Sequence, residues 1–240
     1  MNTILSILLQ KLLLISFQCD FDVINKGHGG NNTNDLMSRV EDDVISEKPD
    51  IVIMMVGTND MFWLRKKISY DKYSSNLEKL INRFKKNNIE VILVSPPPAD
   101  TTYLFERHKR ESFKESPNTK LEKVSKILNA KSFENNLLFV DVFAQFKNNG
   151  IPDHNKDIII RNVFNSGAHD GVHPTPHGCK IIATAIFQKM IDNEKIKKGI
   201  KIICFGDSIT FGAHVKGEGT ASGETYPAYL KELICNYFKH

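Results

Sequence analysis

Short apolar runs alternate with amphipathic stretches along most of this chain, and no other feature limits the possible fold as much. The clearest run, residues 51–56 (IVIMMV), is continuously apolar, as expected of a strand that is buried on both faces. Stretches with apolar residues every three or four positions follow these runs, which is the pattern of helices that cover a sheet. The alternation predicts an α/β fold, with a parallel sheet between helical layers.

The predicted strands are residues 21–25, 51–56, 91–94, 137–140 and 202–205. The predicted helices are residues 33–47, 70–87, 117–131, 178–190 and 226–238. At 240 residues, the chain is long enough to form one domain with a sizeable core, and we expect about five strands in its sheet.

Composition excludes several classes of function. The chain is 41% hydrophobic and 25% charged, which is ordinary for a globular protein. Its net charge is only +4, and no basic block is interleaved with aromatic residues, so we expect no nucleic-acid partner. The four cysteines form no C-x-x-C pair, and a zinc site built on cysteines is therefore not indicated.

Residues 1–17 are strongly apolar but do not match a signal peptide, because Lys11 interrupts the apolar run instead of preceding it. The run is also short for a membrane-spanning helix. We interpret it as a helix that packs on the core, which favours a cytoplasmic location. A signal or anchor segment is the alternative.

Polar residues suited to acyl transfer follow the predicted strands. Gly30, Asn59 and Ser208 each come just after a strand, and His173 lies in a loop before a helix. Ligands of parallel sheets bind beyond the carboxyl ends of the strands. We therefore expect these residues to converge at one edge of the sheet.

The chemistry of these residues predicts a serine hydrolase. A serine hydroxyl needs a base to take its proton as it attacks, which makes Ser208 the candidate nucleophile and His173 the candidate base. Asp170, three residues before His173, is placed to orient the imidazole through its other nitrogen. The backbone N–H groups of Ser208 and Gly30 and the side-chain amide of Asn59 would form the oxyanion hole. Each motif alone is common in ordinary turns, so the prediction depends on their joint placement.

A metal site is the competing interpretation of the histidines. His169, His173 and His177 are spaced by four residues, as on one face of a helix. Pro174 and Pro176 lie between them and prevent a regular helix there. We therefore expect no metal and no other cofactor.

Four sequence motifs together resemble those of the SGNH hydrolases, the GDSL-type esterases and lipases: GDSIT at residues 206–210, NKGHGGNNT at 25–33, GTND at 57–60 and DGVHPT at 170–175. The resemblance covers nearly the whole chain. It implies a flavodoxin-like three-layer α/β/α sandwich and metal-free hydrolysis of ester or thioester bonds. It assigns Ser208, His173 and Asp170 to the catalytic triad, and Ser208, Gly30 and Asn59 to the oxyanion hole.

The order of the motifs departs from the family. The serine motif opens the family's domain, whereas here it follows the histidine motif. We interpret residues 1–240 as one circularly permuted domain, in which residues 1–191 hold the second to last motifs. Residues 192–200 are then a connector, and residues 201–240 supply the serine strand, its loop and a helix. Residues 8–13 (LLQKLL) resemble the same helix as residues 226–234, so both ends of the chain carry a copy of one element.

Three arrangements accommodate this order. The carboxyl-terminal unit folds back into its own chain, or it inserts into a neighbouring copy as a domain-swapped oligomer, or the sequence was cut from a tandem array. We favour the first arrangement. It requires residues 202–205 to lie centrally in the sheet, because a central gap would leave two unpaired strand edges.

The predicted function is hydrolysis of small acyl esters, above all acetyl esters, with carbohydrate esters among the candidate substrates. The segment 212–224 after the serine is polar and has four glycines, so it offers no greasy channel for a long acyl chain. A lysophospholipase or an acyl-CoA thioesterase is the alternative within the same class. A catalytically silent or domain-swapped module is the alternative from another class. The loops at residues 99–116 and 142–166 are expected to shape specificity.

Overall fold

The computed structural model describes residues 21–239. In this range the strands are β1 (Asp22–Gly27), β2 (Ile51–Met55), β3 (Glu90–Val94), β4 (Leu138–Val140) and β5 (Lys201–Gly206). They form one sheet in the order β1-β5-β2-β3-β4, and every neighbouring pair is parallel. With helices packed on both faces, the chain has the predicted three-layer α/β/α fold.

The helices, in chain order, are α1 (Thr33–Val40), α2 (Thr58–Phe62), α3 (Tyr70–Lys86), α4 (Thr101–Arg107), α5 (Pro117–Asn135), α6 (Val142–Asn148), α7 (Val163–Ser166), α8 (Pro176–Asp192), α9 (Ser208–Phe211) and α10 (Tyr226–Tyr237). A π-helical turn, Glu41–Ile45, continues α1. No helix within residues 21–239 is long and apolar enough to cross a membrane.

Every predicted strand and helix in this range is present. The helices that sequence analysis missed, α2, α4, α6, α7 and α9, have four to seven residues, too few to show a helical period. The predicted apolar helix at residues 1–17, with the helix-like motif at residues 8–13, lies outside the described residues.

Two apolar cores lie on opposite faces of the sheet. Successive side chains of a strand point to opposite faces, so Ile203 and Phe205 of β5 join one core while Ile202 and Cys204 join the other. The first core is covered by α1, α3 and α5, and the second by α8 and α10. These four β5 side chains are fully buried, which explains the continuous apolar run of the sequence.

Strand β5, the last strand in the chain, lies between β1 and β2. Ile203 is in register with Ile24 on one side and with Val52 on the other. The connector before β5 is tied to the same sheet by ion pairs from Lys195 to Glu90 (2.5 Å) and from Lys197 to Asp50 (3.3 Å). The central position predicted for residues 202–205 is therefore confirmed. The circular permutation and the domain-swapped oligomer stay predictions.

Replacement of Ile203 by alanine tests how strongly β5 is held in the sheet. Ile203 has no exposed surface, so Ile203→Ala should lower the free energy of unfolding by about 2–5 kcal/mol, from lost burial and the cavity left behind. The matched control is Ile158→Ala, because Ile158 is 52% exposed, and its loss should stay below about 0.5 kcal/mol. Urea unfolding followed by circular dichroism measures both. Equal losses in the two variants would contradict the central packing of β5.

Candidate active site

Ser208 is presented at the carboxyl end of β5, on the first residue of the short helix α9. The turn between the two elements leaves no room for a side chain at Gly206, since a Cβ there would lie 2.2 Å from the Met55 carbonyl oxygen. Asp207 is the N-cap of α9, and its Oδ1 accepts a hydrogen bond from the Ile209 N–H (2.9 Å). The strand and its cap thus fix the position of Ser208.

His173 and Asp170 complete a chain of hydrogen bonds to this serine. The Nε2 atom of His173 lies 3.0 Å from Ser208 Oγ. Its Nδ1 atom lies 2.9 and 3.0 Å from the two carboxylate oxygens of Asp170. Since an ionised carboxylate only accepts, Nδ1 carries the proton and Nε2 is free to accept one from the serine. This is the geometry of a nucleophile, a base and a group that orients the base.

The loop that carries Asp170 and His173 is held by backbone pairing with residues 159–161. An antiparallel bridge joins Ile160 to Pro174. The Arg161 N–H donates to the His173 carbonyl oxygen, and the Gly171 N–H donates to the Arg161 carbonyl oxygen, both at 2.9 Å. Residues 159–161, earlier in the segment between α6 and α8, therefore support the histidine through backbone hydrogen bonds.

Asp170 is held in its ionised form. Burial raises its pKa, but the hydrogen bond and the electrostatic attraction of the His173 ring and the N–H groups of Val172 and His173 lower it more. The net result is a pKa below the usual range of a carboxyl group. The guanidinium Nε of Arg161, 3.4 Å from Asp170 Oδ2, adds a positive charge on the same side.

Gly30, in the loop after β1, and Asn59, in the segment after β2, come from the two strands that flank the serine strand. Gly30 has a φ of +72°, and a Cβ there would lie 2.4 Å from the indole of Trp63, so both the backbone and the contact favour glycine. The Asn59 side-chain amide donates to the carbonyl oxygen of Asn31, next to Gly30 (2.9 Å). Among the hydrogen bonds of residues 21–239, none uses the backbone N–H of Gly30 or of Ser208, which leaves both as open donors.

Arg39, which sequence analysis missed, joins this glycine loop to the serine strand. Its Nε donates to Asn31 Oδ1 (2.7 Å), and its two terminal nitrogens donate to the carbonyl oxygens of Lys26 (2.9 Å) and Gly206 (2.8 Å). The guanidinium also lies 4.5 Å from the centroid of the Phe205 ring. The ends of β1 and β5 and the loop of Gly30 are therefore fixed to one another by a single side chain.

The carboxyl groups of Asp60 and of Asp207, the residue before the serine, are both buried. Burial raises the pKa of Asp60 to about 6, opposed by hydrogen bonds from the hydroxyl and N–H of Thr33. Burial also raises the pKa of Asp207 to about 7, opposed by the hydrogen bond from the Ile209 N–H and by the electrostatic attraction of His173. Within the described part of the chain, Asp207 Oδ2 has no hydrogen-bond partner, which suits a protonated oxygen.

A cavity of about 360 Å³ opens beside His173 and is lined by Arg107, Arg161, Ala168, His169, Asp170, His173 and His214. Sequence analysis also missed His214, which lies in the segment between α9 and α10. Its ring contacts that of His173, with the two ring centroids 5.1 Å apart. Of the three histidines spaced by four residues, only His173 lies within hydrogen-bond distance of Ser208. His169 is hydrogen-bonded to Glu106 (2.7 Å), and His177 is exposed on α8.

Comparisons with known proteins agree with this geometry. The GDSL-like Lipase/Acylhydrolase family model matches residues 8–181. The acetylxylan esterase of Geobacillus stearothermophilus is 28% identical over 176 residues, which are 70% of this chain and 71% of that protein.

Solved structures give the same picture. An acetyl-xylooligosaccharide esterase structure from the same organism is 26% identical, with a TM-score of 0.53 over 67% of this chain and 68% of that one. Structures of that esterase include catalytic mutants in which a serine, an aspartate or a histidine is replaced by alanine. An acetyl xylan esterase at 24% identity supports the fold, with a TM-score of 0.58 over 76% of this chain and 88% of that one.

The match to the family model covers the loop of Gly30, the Asn59 motif and the loop of Asp170 and His173, and it ends before β5. The position of Ser208 follows instead from the fold, since β5 presents it within hydrogen-bond distance of His173. On this match, the chain belongs to the GDSL-like lipase/acylhydrolase family and is a carboxylic ester hydrolase.

Proposed function

We propose that the chain removes acetyl groups from small esters, with a carbohydrate as the alcohol part, through an acyl-enzyme formed on Ser208. The observation that carries this proposal is the continuous hydrogen-bonded path from Asp170 through His173 to Ser208, with steps of 2.9 and 3.0 Å. The path joins two segments that lie 35 residues apart in the sequence. Nothing but the folded sheet brings them together.

The proposed reaction has two steps. Ser208 Oγ attacks the ester carbonyl while His173 Nε2 takes its proton, and Asp170 stabilises the imidazolium that results. His173 then gives this proton to the departing alcohol, which leaves an acetyl group on the serine. Water, activated by the same histidine, releases acetate and restores Ser208.

The negative charge of each tetrahedral intermediate falls on the former carbonyl oxygen. The open N–H groups of Ser208 and Gly30 and the amide of Asn59 are the proposed donors to it. Arg39 supports this role, because it fixes the Gly30 loop relative to the end of β5. Donors that are already in place cost no reorganisation when the charge develops.

Two observations support a short acyl group. The relatives reported above are named as acetylxylan and acetyl-xylooligosaccharide esterases. The cavity beside His173 is lined by guanidinium, imidazole and carboxylate groups, with Ala168 as its one apolar lining residue. A long acyl chain needs a continuous aliphatic or aromatic lining, so these lining residues favour a short acyl group over the long chain of a lysophospholipid.

The role of Ser208 is tested by replacement and by labelling. Ser208→Ala should lower kcat for p-nitrophenyl acetate by at least about 1000-fold, because the nucleophile is lost. An organophosphorus probe should label the unmodified chain once, at Ser208, as read by peptide mass spectrometry. The matched control is Ser222→Ala, an exposed serine of the same segment, whose activity should be unchanged. Absence of both turnover and label in the unmodified chain would favour the catalytically silent module.

The acyl preference is tested with esters of increasing chain length. We expect kcat/KM for p-nitrophenyl acetate to exceed that for p-nitrophenyl octanoate by about tenfold or more, since charged and polar side chains line the cavity and Ala168 is its one aliphatic residue. Release of acetate from acetylated xylo-oligosaccharides, followed by proton NMR, then tests the alcohol part. A preference for the octanoate would contradict the proposal and favour a lipase.

The buried carboxyl of Asp207 should make stability depend on pH. Its pKa rises on folding from the usual 3.8 to about 7, so the folded state binds the extra proton between these values. Stability therefore falls as the pH rises through this window. Asp207→Asn removes the carboxyl, and the difference in unfolding free energy between pH 5 and pH 8, measured by urea titration, should shrink. Asp60 shifts in the same direction and leaves a residual slope. An unchanged difference would show that Asp207 does not titrate here.

A further inference from the structure

Two arginine side chains line the cavity beside His173, and the proposed reaction uses neither of them. Arg107 is the last residue of α4 and is exposed. Arg161 lies shortly before α7, and its side chain is 17% exposed. The cavity volume of about 360 Å³ falls within the roughly 300–1,000 Å³ of ligand sites, so a part of the substrate has room there.

Both guanidinium groups are held in place by backbone carbonyl oxygens around the cavity. The two terminal nitrogens of Arg107 donate to the carbonyl oxygens of His169 and Asp170. Nη1 of Arg161 donates to the carbonyl oxygen of His214 (3.3 Å). A carbonyl oxygen has no net charge, so these contacts position the two positive charges without neutralising them.

One of the two charges is balanced by a carboxylate and the other is not. Arg161 Nε lies 3.4 Å from Asp170 Oδ2, and Asp170 is the one carboxylate of the lining. Among the ion pairs of residues 21–239, none involves Arg107, and the neighbouring Glu106 contacts His169 instead (2.7 Å). Arg161 Nε is buried and has no hydrogen-bond partner in the described part of the chain. The two guanidinium groups and the one carboxylate of the lining therefore leave a surplus of one positive charge.

The alcohol part of the ester is the part of the substrate that can reach this cavity. In the proposed reaction His173 Nε2 gives its proton to the departing alcohol, so the alcohol oxygen lies within hydrogen-bond distance of Nε2. The acetyl group is short and stays between Ser208 and the oxyanion donors. A substituent of the alcohol extends past His173, which itself lines the cavity.

We propose that the preferred esters carry a carboxylate on the alcohol part, as in an acetylated uronic acid, and that Arg107 binds it with support from Arg161. This inference rests on the proposed function and defines its alcohol more closely. A guanidinium group offers planar donors that match a carboxylate. One carboxylate offsets the surplus of one positive charge, whereas a phosphate dianion would reverse its sign. Asp170 is balanced by Arg161, which leaves the charge of Arg107 for the substrate.

A matched pair of substrates tests the preference: a methyl glucuronoside and the corresponding neutral methyl glucoside, acetylated at the same position. We expect kcat/KM for acetate release, followed by proton NMR, to be about tenfold or more higher for the acid. Arg107→Gln should bring this ratio close to one, and Arg107→Lys, which keeps the charge, should retain part of it. The matched control is Arg83→Gln, an exposed arginine of α3, which should keep the full ratio. A purely structural role of Arg107 would lower both rates and leave their ratio unchanged, which would overturn the proposal.

Isothermal titration with the methyl glucuronoside that carries no acetyl group gives a readout independent of hydrolysis. Its affinity should fall about tenfold or more in Arg107→Gln and stay unchanged in Arg83→Gln. Binding that depends on Arg107 in a chain without esterase activity would overturn the proposed function and leave the carboxylate site standing. Hydrolysis with equal kcat/KM for the acid and the neutral glycoside would overturn the carboxylate site and leave the proposed function standing. A higher kcat/KM for the corresponding acetylated glucoside phosphate than for the acid would also overturn the choice of a carboxylate.

Discussion

Strand β5 pairs with two neighbours along its length, with β1 through six residues and with β2 through five. Without it, the sheet would have a gap between β1 and β2, with two rows of unpaired backbone groups facing each other. The same strand fills both cores, since it sends side chains to either face. The proposed nucleophile is therefore attached to the strand that completes the sheet, so the site cannot form before that strand is in place.

Arg39 extends this dependence from the sheet to the loops. Backbone pairing places the ends of β1 and β5 side by side, but it does not fix the loop of Gly30. The guanidinium does so, because its planar set of donors reaches two strand carbonyls and the side chain of Asn31 at once. Burial lowers the pKa of Arg39, yet an arginine keeps its charge in proteins, and Asp43 balances it at 2.5 Å. A lysine could not make the same three contacts.

The sequence was sufficient to predict the strands and the edge at which the site forms. Apolar runs such as residues 202–205 mark strands buried on both faces, and each motif follows directly on such a run. The family motifs then identified Ser208, His173 and Asp170, which the structure brings within hydrogen-bond distance. Their roles in catalysis stay predictions, as does the circular permutation.

Arg39 and His214 could not be predicted, because their importance comes from contacts across the fold. Arg39 donates a hydrogen bond to the carbonyl oxygen of Gly206, 167 residues further along the chain. The ring of His214 contacts the ring of His173, which lies in another loop. No local pattern marks either residue. The raised pKa of Asp207 could not be predicted from the sequence for the same reason. It results mainly from burial of the carboxyl group by the folded domain.

The position of β5 also has a consequence for synthesis. A ribosome makes Asp170, His173, Gly30 and Asn59 before it makes β5, so a nascent chain that has emerged through α8 carries every proposed catalytic group except the nucleophile. It also carries a sheet whose middle is open, with apolar edges that favour contact with other chains or with chaperones. The proposed hydrolysis through Ser208 cannot precede the arrival of the last strand. The order of translation therefore exposes the unpaired strand edges before the proposed active site is complete.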